Sequence, residues 1–262
     1  VNLKGGVPCR EDHWNLGIAK KNQGKYGEAL PMLERALAEF QEHEPDHPVT
    51  IAKLHCSVAG CLQDMGRAHD AATHYTEARE LYLGTVGARS PLFGGAVEGL
   101  AKALKSQSRY AEAFEALLES FEVHATCDAV HPTPLFEHLE LALDLHGRQP
   151  AAAPLARLAP LIDRGVANLE ARGQAEDGNA GLVMSRAGKV LERAGGAANA
   201  RRAGELLQRG RGLIQQSHSS GEADLQHEIV EADVLLRRVR EAANAAEAIG
   251  TAPGALPQQT LG

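Results

Sequence analysis

Apolar residues Ala29, Leu33, Ala36, Leu37 and Phe40 recur at intervals of three and four, the spacing that places side chains on one face of an α-helix. A shorter set, Leu16, Ile18 and Ala19, comes before them and predicts a preceding helix. Gly24 lies between the two stripes and predicts the break: without a Cβ it reaches positive φ, so the chain can reverse and lay the second helix antiparallel on the first. Alternating runs of Val, Ile, Thr and aromatic residues with hairpin turns, the signature of a half-buried sheet, do not occur. The pattern predicts an all-α chain.

The unit repeats every 42 residues. Gly24 and Gly66, Ala29 and Ala71, and Ala36 and Ala78 are each 42 apart, and Tyr26, Ala29 and His47-Pro48 return two periods later as Tyr110, Ala113 and His131-Pro132. Gly17 with Ala29, Ala59 with Ala71, and Ala101 with Ala113 supply small residues where two helix axes cross closely. Pro48 and Pro132 close one hairpin and open the next, since proline lacks an amide donor and fits the first turn of a helix.

The stretch Asn15-Leu16-Gly17, Gln23-Gly24-Lys25-Tyr26, Glu28-Ala29, Leu33-Glu34-Arg35-Ala36-Leu37 and His47-Pro48 resembles the tetratricopeptide repeat in its long form, as in kinesin light chains. The middle repeat keeps Gly66-Arg67, Ala71, Tyr75 and Ala78 but has Ser90-Pro91, its proline one place late. The resemblance covers residues 12–135 and implies an α-solenoid of antiparallel hairpins wound as a right-handed superhelix.

Beyond residue 135 the pattern decays. A fourth hairpin is readable through Leu141-Ala142, Leu145, Gly147-Arg148 and Ala152, with Pro154 and Pro160 departing from the earlier units. A fifth pairs Gly181–Arg193 with Ala198–Gln216, where Ala203, Leu206, Leu207 and Gly210 form the stripe, although its glycines each cost about 1 kcal/mol against alanine in a helix interior. Residues 136–217 are therefore expected to be degenerate hairpins and 218–249 a C-terminal capping helix, with Leu225, Ile229, Val234, Leu235, Val239 and Ala242 inward. Residues 1–11 read as an N-terminal extension, and 250–262, with Pro253 and Pro257, as a flexible tail.

Composition narrows the function classes. The 262 residues carry a net charge of −7, which does not suit a phosphate-binding surface, and the basic stretch Arg201–Arg211 reads as the solvated side of a helix. Cys9, Cys56, Cys61 and Cys127 form no C-x-x-C pair and suit a reducing, intracellular compartment, cytoplasmic or organellar. The chain starts at Val1 without methionine, which leaves open a boundary chosen for the sequence, a preceding segment or a cleaved targeting peptide, and no run reaches the about 18 apolar residues a membrane helix needs. No phosphate loop, G-x-S-x-G or H-E-x-x-H is present, so no catalytic residue and no cofactor is expected. His124, Cys127 and His131, at i, i+3 and i+7, are the sharpest metal-like spacing, but His131 already has its place in the repeat, and no metal is expected. His43, His47, His69 and His74 read as turn and exposed helix residues, and the cysteines as small hydrophobes.

What the resemblance implies is protein binding without catalysis. In such arrays the first helices of successive hairpins line a concave groove. The matching positions are Trp14, Ile18, Lys21 and Asn22, then Cys56, Gly60, Gln63 and Asp64, then Glu98, Lys102, Lys105 and Ser106. Trp14 stands where it either faces the groove or packs inward. Lys21, Lys102 and Lys105 suggest a positive tint suited to an acidic peptide, which Asp64 and Glu98 blunt. Other proteins are the expected partners; nucleic acid and membrane insertion are not. The alternatives are a permanent subunit of a larger complex that uses the convex face, the degenerate half and the tail, and a helical enzyme or metal-binding domain within residues 150–250.

Overall fold

The computed structural model describes residues 10–127, 132–175, 178–217 and 223–250. Every regular element among them is helical: α1 (Arg10–Asn22), α2 (Tyr26–His43), α3 (Pro48–Asp64), α4 (Ala68–Thr85), α5 (Pro91–Ser106), α6 (Tyr110–Thr126), α7 (Pro132–Arg148), a 3-10 turn (Leu155–Leu158), α8 (Ala159–Ala171), α9 (Gly178–Ala194), α10 (Ala197–Ser217) and α11 (Ala223–Gly250). The fold is an all-α solenoid of tetratricopeptide type. It divides into two compact units, residues 1–172 and 173–262, a division that falls inside the stretch expected to hold degenerate hairpins.

In the first unit, α1–α2, α3–α4 and α5–α6 are antiparallel hairpins, and each second helix also packs on the next first helix. The turns within the hairpins are made identically. Gly24 donates to Lys21 O and Lys25 to Lys20 O; Gly66 donates to Gln63 O and Arg67 to Leu62 O; Ser108 donates to Lys105 O and Arg109 to Leu104 O. These paired bonds are Schellman closures, which need a left-handed residue just past the helix end. Gly24 and Gly66 supply it at φ 74° and 77°. Ser108 supplies it at φ 60°, where an L side chain crowds its own carbonyl. Ser108→Gly is therefore expected to raise the urea midpoint, by about 1 kcal/mol in stability; an unchanged or lower midpoint would show that the strain is not there.

Between hairpins, α3, α5 and α7 each begin at a proline, and Ser90 caps α5 by accepting a bond from Leu92 N at 3.3 Å. The stripe of α2 is buried as expected. That of α1 is rotated: Leu16 is 42% exposed and Ala19 lies outside, whereas His13 and Gly17 face inward with Trp14 and Ile18 beside them. The cause is at Gly17, where a Cβ would lie 2.7 Å from Leu33 Cδ2, so the bare glycine sets which side of α1 meets α2.

The fourth hairpin does not close as the first three do. α7 runs straight through Gly147, and the chain then passes Pro150 and Pro154 into the 3-10 turn. α8 packs on α6, tied by Glu122–Arg164 at 2.6 Å, while Glu115 holds Arg157 of the 3-10 turn at 3.0 Å. A glycine in a helical conformation cannot make the turn, whatever its place in the repeat.

The second unit is an α9–α10 hairpin with α11 against both helices. A Cβ on Gly210 would lie 2.6 Å from Gly181 O, and one on Gly181 2.9 Å from Gly210 O, so the two backbones are in direct contact. α11 buries Ala232, Leu235, Leu236 and Val239, and leaves Val234 and Ala242, expected inside, exposed. Arg186 bonds Glu228 at 2.6 Å and Glu231 at 2.7 Å, and Lys189 also pairs with Glu231, fastening α9 to α11. Within the basic stretch, Arg202 pairs with Glu205 and Arg211 with Asp233.

Candidate functional site

In the first unit α1, α3, α5 and α7 touch in succession, so the first helices of the hairpins form one continuous face. The expected groove residues meet different fates on it. Trp14 packs edge-on to Phe40 with ring centroids 6.3 Å apart, and its indole donates to Ser57 Oγ at 3.2 Å, which ties α1 to α3. Ile18 packs against the same core and Asn22 is exposed. Lys21 reaches over Gly60, its Nζ 2.7 Å from where a Cβ would stand, and pairs with Asp64 at 3.6 Å. Cys56 turns to α4 and lies against Tyr82, and burial pushes its thiol up to about 11. Burial also raises Cys61, so neither thiol is poised as a thiolate.

The structure gathers Gln63, Lys102, Lys105 and Ser106 around one open cleft of about 460 Å³, closed on its far side by Phe136, Glu137, Leu141 and Asp144 of α7. Gln63 lines the cleft, and its side-chain Oε1, buried beside it, has no hydrogen-bond partner among the described residues. Such an acceptor is costly unless something donates to it, at about 1–3 kcal/mol.

The positive tint is corrected. Lys102 lies 2.5 Å from Glu98 and 3.0 Å from Glu137, Lys105 2.9 Å from Asp144, and Lys21 is held by Asp64. Burial alone would lower the Lys102 pKa, but Glu98 and Glu137 raise it, and Lys105 with Arg148 draws Asp144 down against its own burial. Each lysine is neutralised locally, leaving a polar surface of mixed sign. Glu98, one turn before Lys102 on α5, and Asp64 on α3 belong to the expected groove set, whereas Glu137 and Asp144 stand on α7, at spacings that no repeat offset marks.

Histidine is placed unlike the expectation. His131 lies outside the described residues, and Cys127 is spent on a contact with His124 O at 3.7 Å. His124 instead bonds Ser120 O at 3.1 Å and meets His138 and Glu98 in a buried network. There Ser120 Oγ is 2.7 Å from His138 Nε2 and 2.8 Å from Gly94 O, and His138 Nδ1 bonds Pro134 O. Burial holds His138 down to about 3 and lowers His124. His74, read as an exposed helix residue, is three-quarters buried and faces His55. No sequence spacing announces that contact, because the two residues meet only across the hairpin.

Residues 11–83 match the family profile described as tetratricopeptide repeat. No curated protein matches the chain in sequence. Among solved structures, the nearly identical TPR-like repeats of a Podosopora anserina protein named as a kinesin light chain superpose with TM-score 0.59 at 18% identity, covering 80% of this chain and 97% of that one. BtubC (BKLC) from P. vanneervenii gives 0.51 at 16%, covering 96% and 85%. Aspartyl phosphate phosphatase F from Bacillus subtilis gives 0.53 at 14%, covering 88% of this chain and 59% of that one. At these identities the likeness is one of fold, a fold generally used as a non-catalytic scaffold for protein–protein contacts. Among the described residues no helix is long and apolar enough to cross a membrane. The repeating hairpins, the shared Schellman turns and the profile match over residues 11–83 give the chain a fold of tetratricopeptide-repeat type, similar to the TPR-like repeats of the protein named as a kinesin light chain.

Proposed function

We propose that the chain is a non-catalytic scaffold or adaptor that holds an extended segment of another protein on the α3–α5–α7 face. The observation that carries this reading is the cleft beside Gln63. An unpartnered buried acceptor next to paired charges of both signs suits a peptide backbone, which brings amide donors at regular spacing, better than it suits a strongly acidic tail. Trp14 and Ile18 act as packing anchors for the first hairpin, while Gln63, Lys102 and Lys105 line the cleft and Asp64 and Glu98 hold the neighbouring lysines.

A second reading has its own observation. On α11, Val230 and Val234 are 59% and 49% exposed and one helical turn apart, an apolar pair suited to permanent docking in a larger assembly, with the opposite side of the helix covering the α9–α10 hairpin. Affinity capture followed by mass spectrometry separates the two. Ser106→Trp, at the exposed end of α5, is expected to fill the cleft and abolish capture, while Val230→Asp leaves it intact. Capture lost only with Val230→Asp favours the assembly reading.

A further inference from the structure

We propose that His55, His74 and Glu77 form a binding site for a divalent cation of the zinc class, clasping the second hairpin between α3 and α4. His55 Nδ1 lies 3.0 Å from His74 Nδ1 and 2.8 Å from Glu77 Oε2, and His74 Nδ1 lies 3.7 Å from the same oxygen. Nitrogen and oxygen ligands held about 2.0–2.2 Å from a tetrahedral zinc ion are separated from one another by about 3.3–3.5 Å. The three observed separations bracket that value.

Protons do not explain the arrangement as well. A proton on His55 Nδ1 points to the Glu77 carboxylate or to His74, not both. If His74 donates instead, the His55 lone pair faces a carboxylate oxygen at 2.8 Å. Three electron-pair donors converging on one point are satisfied by a single cation, with two neutral imidazoles and one carboxylate leaving a fourth position for water. Glu77 is half exposed, so the site opens to solvent.

The support around the ligands has the form metal sites use. The amide nitrogen Nε2 of Gln41, from α2, lies 3.3 Å from His55 Nε2. The amide oxygen and nitrogen of a glutamine are interchangeable by a flip, and the oxygen accepts the Nε2 proton of a metal-bound imidazole, fixing its tautomer. Nor is the trio a by-product of the repeat. Single members recur, with His13 at the position of His55 in the first hairpin and Glu119 at that of Glu77 in the third, but the set does not: His74 and Glu77 become Met32 and Arg35 in the first hairpin, and His55 and His74 become Val97 and Ala116 in the third. The other buried His-His-Glu group, His124, His138 and Glu98, is a poorer host, because Lys102 already neutralises Glu98 at 2.5 Å.

Calorimetric titration of the full chain with Zn²⁺ tests the assignment, with Co²⁺ absorption spectra as a second readout of a tetrahedral site. One equivalent is expected to bind. His74→Ala and Glu77→Gln should each weaken it by more than about 100-fold and Gln41→Leu by about 10–100-fold, with helical circular dichroism unchanged. Absence of binding to the wild type overturns the assignment, and so does binding that is the same in His74→Ala and Glu77→Gln, since the ion then sits elsewhere.

Discussion

Gly210→Ala is expected to destabilise the second unit by about 2–3 kcal/mol, while Gly212→Ala, two residues along the same helix, raises stability by about 1 kcal/mol. The opposite signs follow from what each new methyl group meets. At Gly210 it meets Gly181 O at 2.6 Å and Ser185 N at 2.9 Å, backbone atoms of α9 that cannot swing aside as a side chain can. Accommodation requires the two helices to separate, and that loosens Leu206, Leu207 and Ile214 where they are buried between them. At Gly212 nothing lies within 4 Å, so alanine adds only its better helix propensity. Urea unfolding of the full chain, followed by helical circular dichroism, reads both changes. Equal effects of the two substitutions would show that α9 and α10 do not touch at Gly181 and Gly210.

Acidification to pH 5 is expected to weaken the first unit by about 2 kcal/mol through His138 alone. Burial holds this ring at about 3 in the folded chain, against about 6.5 in the unfolded one. Above pH 6.5 neither state binds the proton and the group has no effect on stability. As the pH falls below 6.5 the unfolded chain takes up a proton that the folded chain refuses, and stability drops by about 1.4 kcal/mol per unit until the folded ring titrates near pH 3. His55 and His124, also lowered by burial, add losses of the same sign. Comparing urea midpoints at pH 7.5 and 5.0 isolates the contribution: His138→Gln keeps a hydrogen-bonding group and removes the titration, so its midpoint should fall less by roughly that amount. An identical pH dependence in wild type and variant would place the acid sensitivity elsewhere.

The fold was legible where the repeat is regular. The 42-residue offsets locate the first three hairpins, and the buried stripe Ala29, Leu33, Ala36, Leu37 and Phe40 can be read directly from spacing. It failed where a residue's identity and its conformation part company. Ser108 occupies the left-handed turn position that glycine holds in the first two repeats, a fact visible in the offset but hidden by the side chain. Gly147, a glycine where a turn was expected, stays helical. The glycines of α10 looked like a weakness in isolation, and Gly210 is instead what lets the backbones meet.

The candidate site was legible only in part, for a related reason. Periodicity assigns residues to a face, so Gln63, Lys102, Lys105 and Ser106 could be placed together before the cleft was seen. It does not say what stands opposite. Glu137 and Asp144 belong to α7, in the stretch where the repeat signal fades, and they complete the neutralisation that Glu98 and Asp64 begin. His55 and His74, 19 residues apart on the two arms of a hairpin, share no spacing rule at all; only the crossing of α3 and α4 brings their nitrogens to 3.0 Å.

The groove reading is tested most directly by measuring the affinity of the purified captured partner for the wild-type chain and for Ser106→Trp. A loss of at least about tenfold, about 1.4 kcal/mol, is the predicted result, and an unchanged dissociation constant would contradict binding on the α3–α5–α7 face.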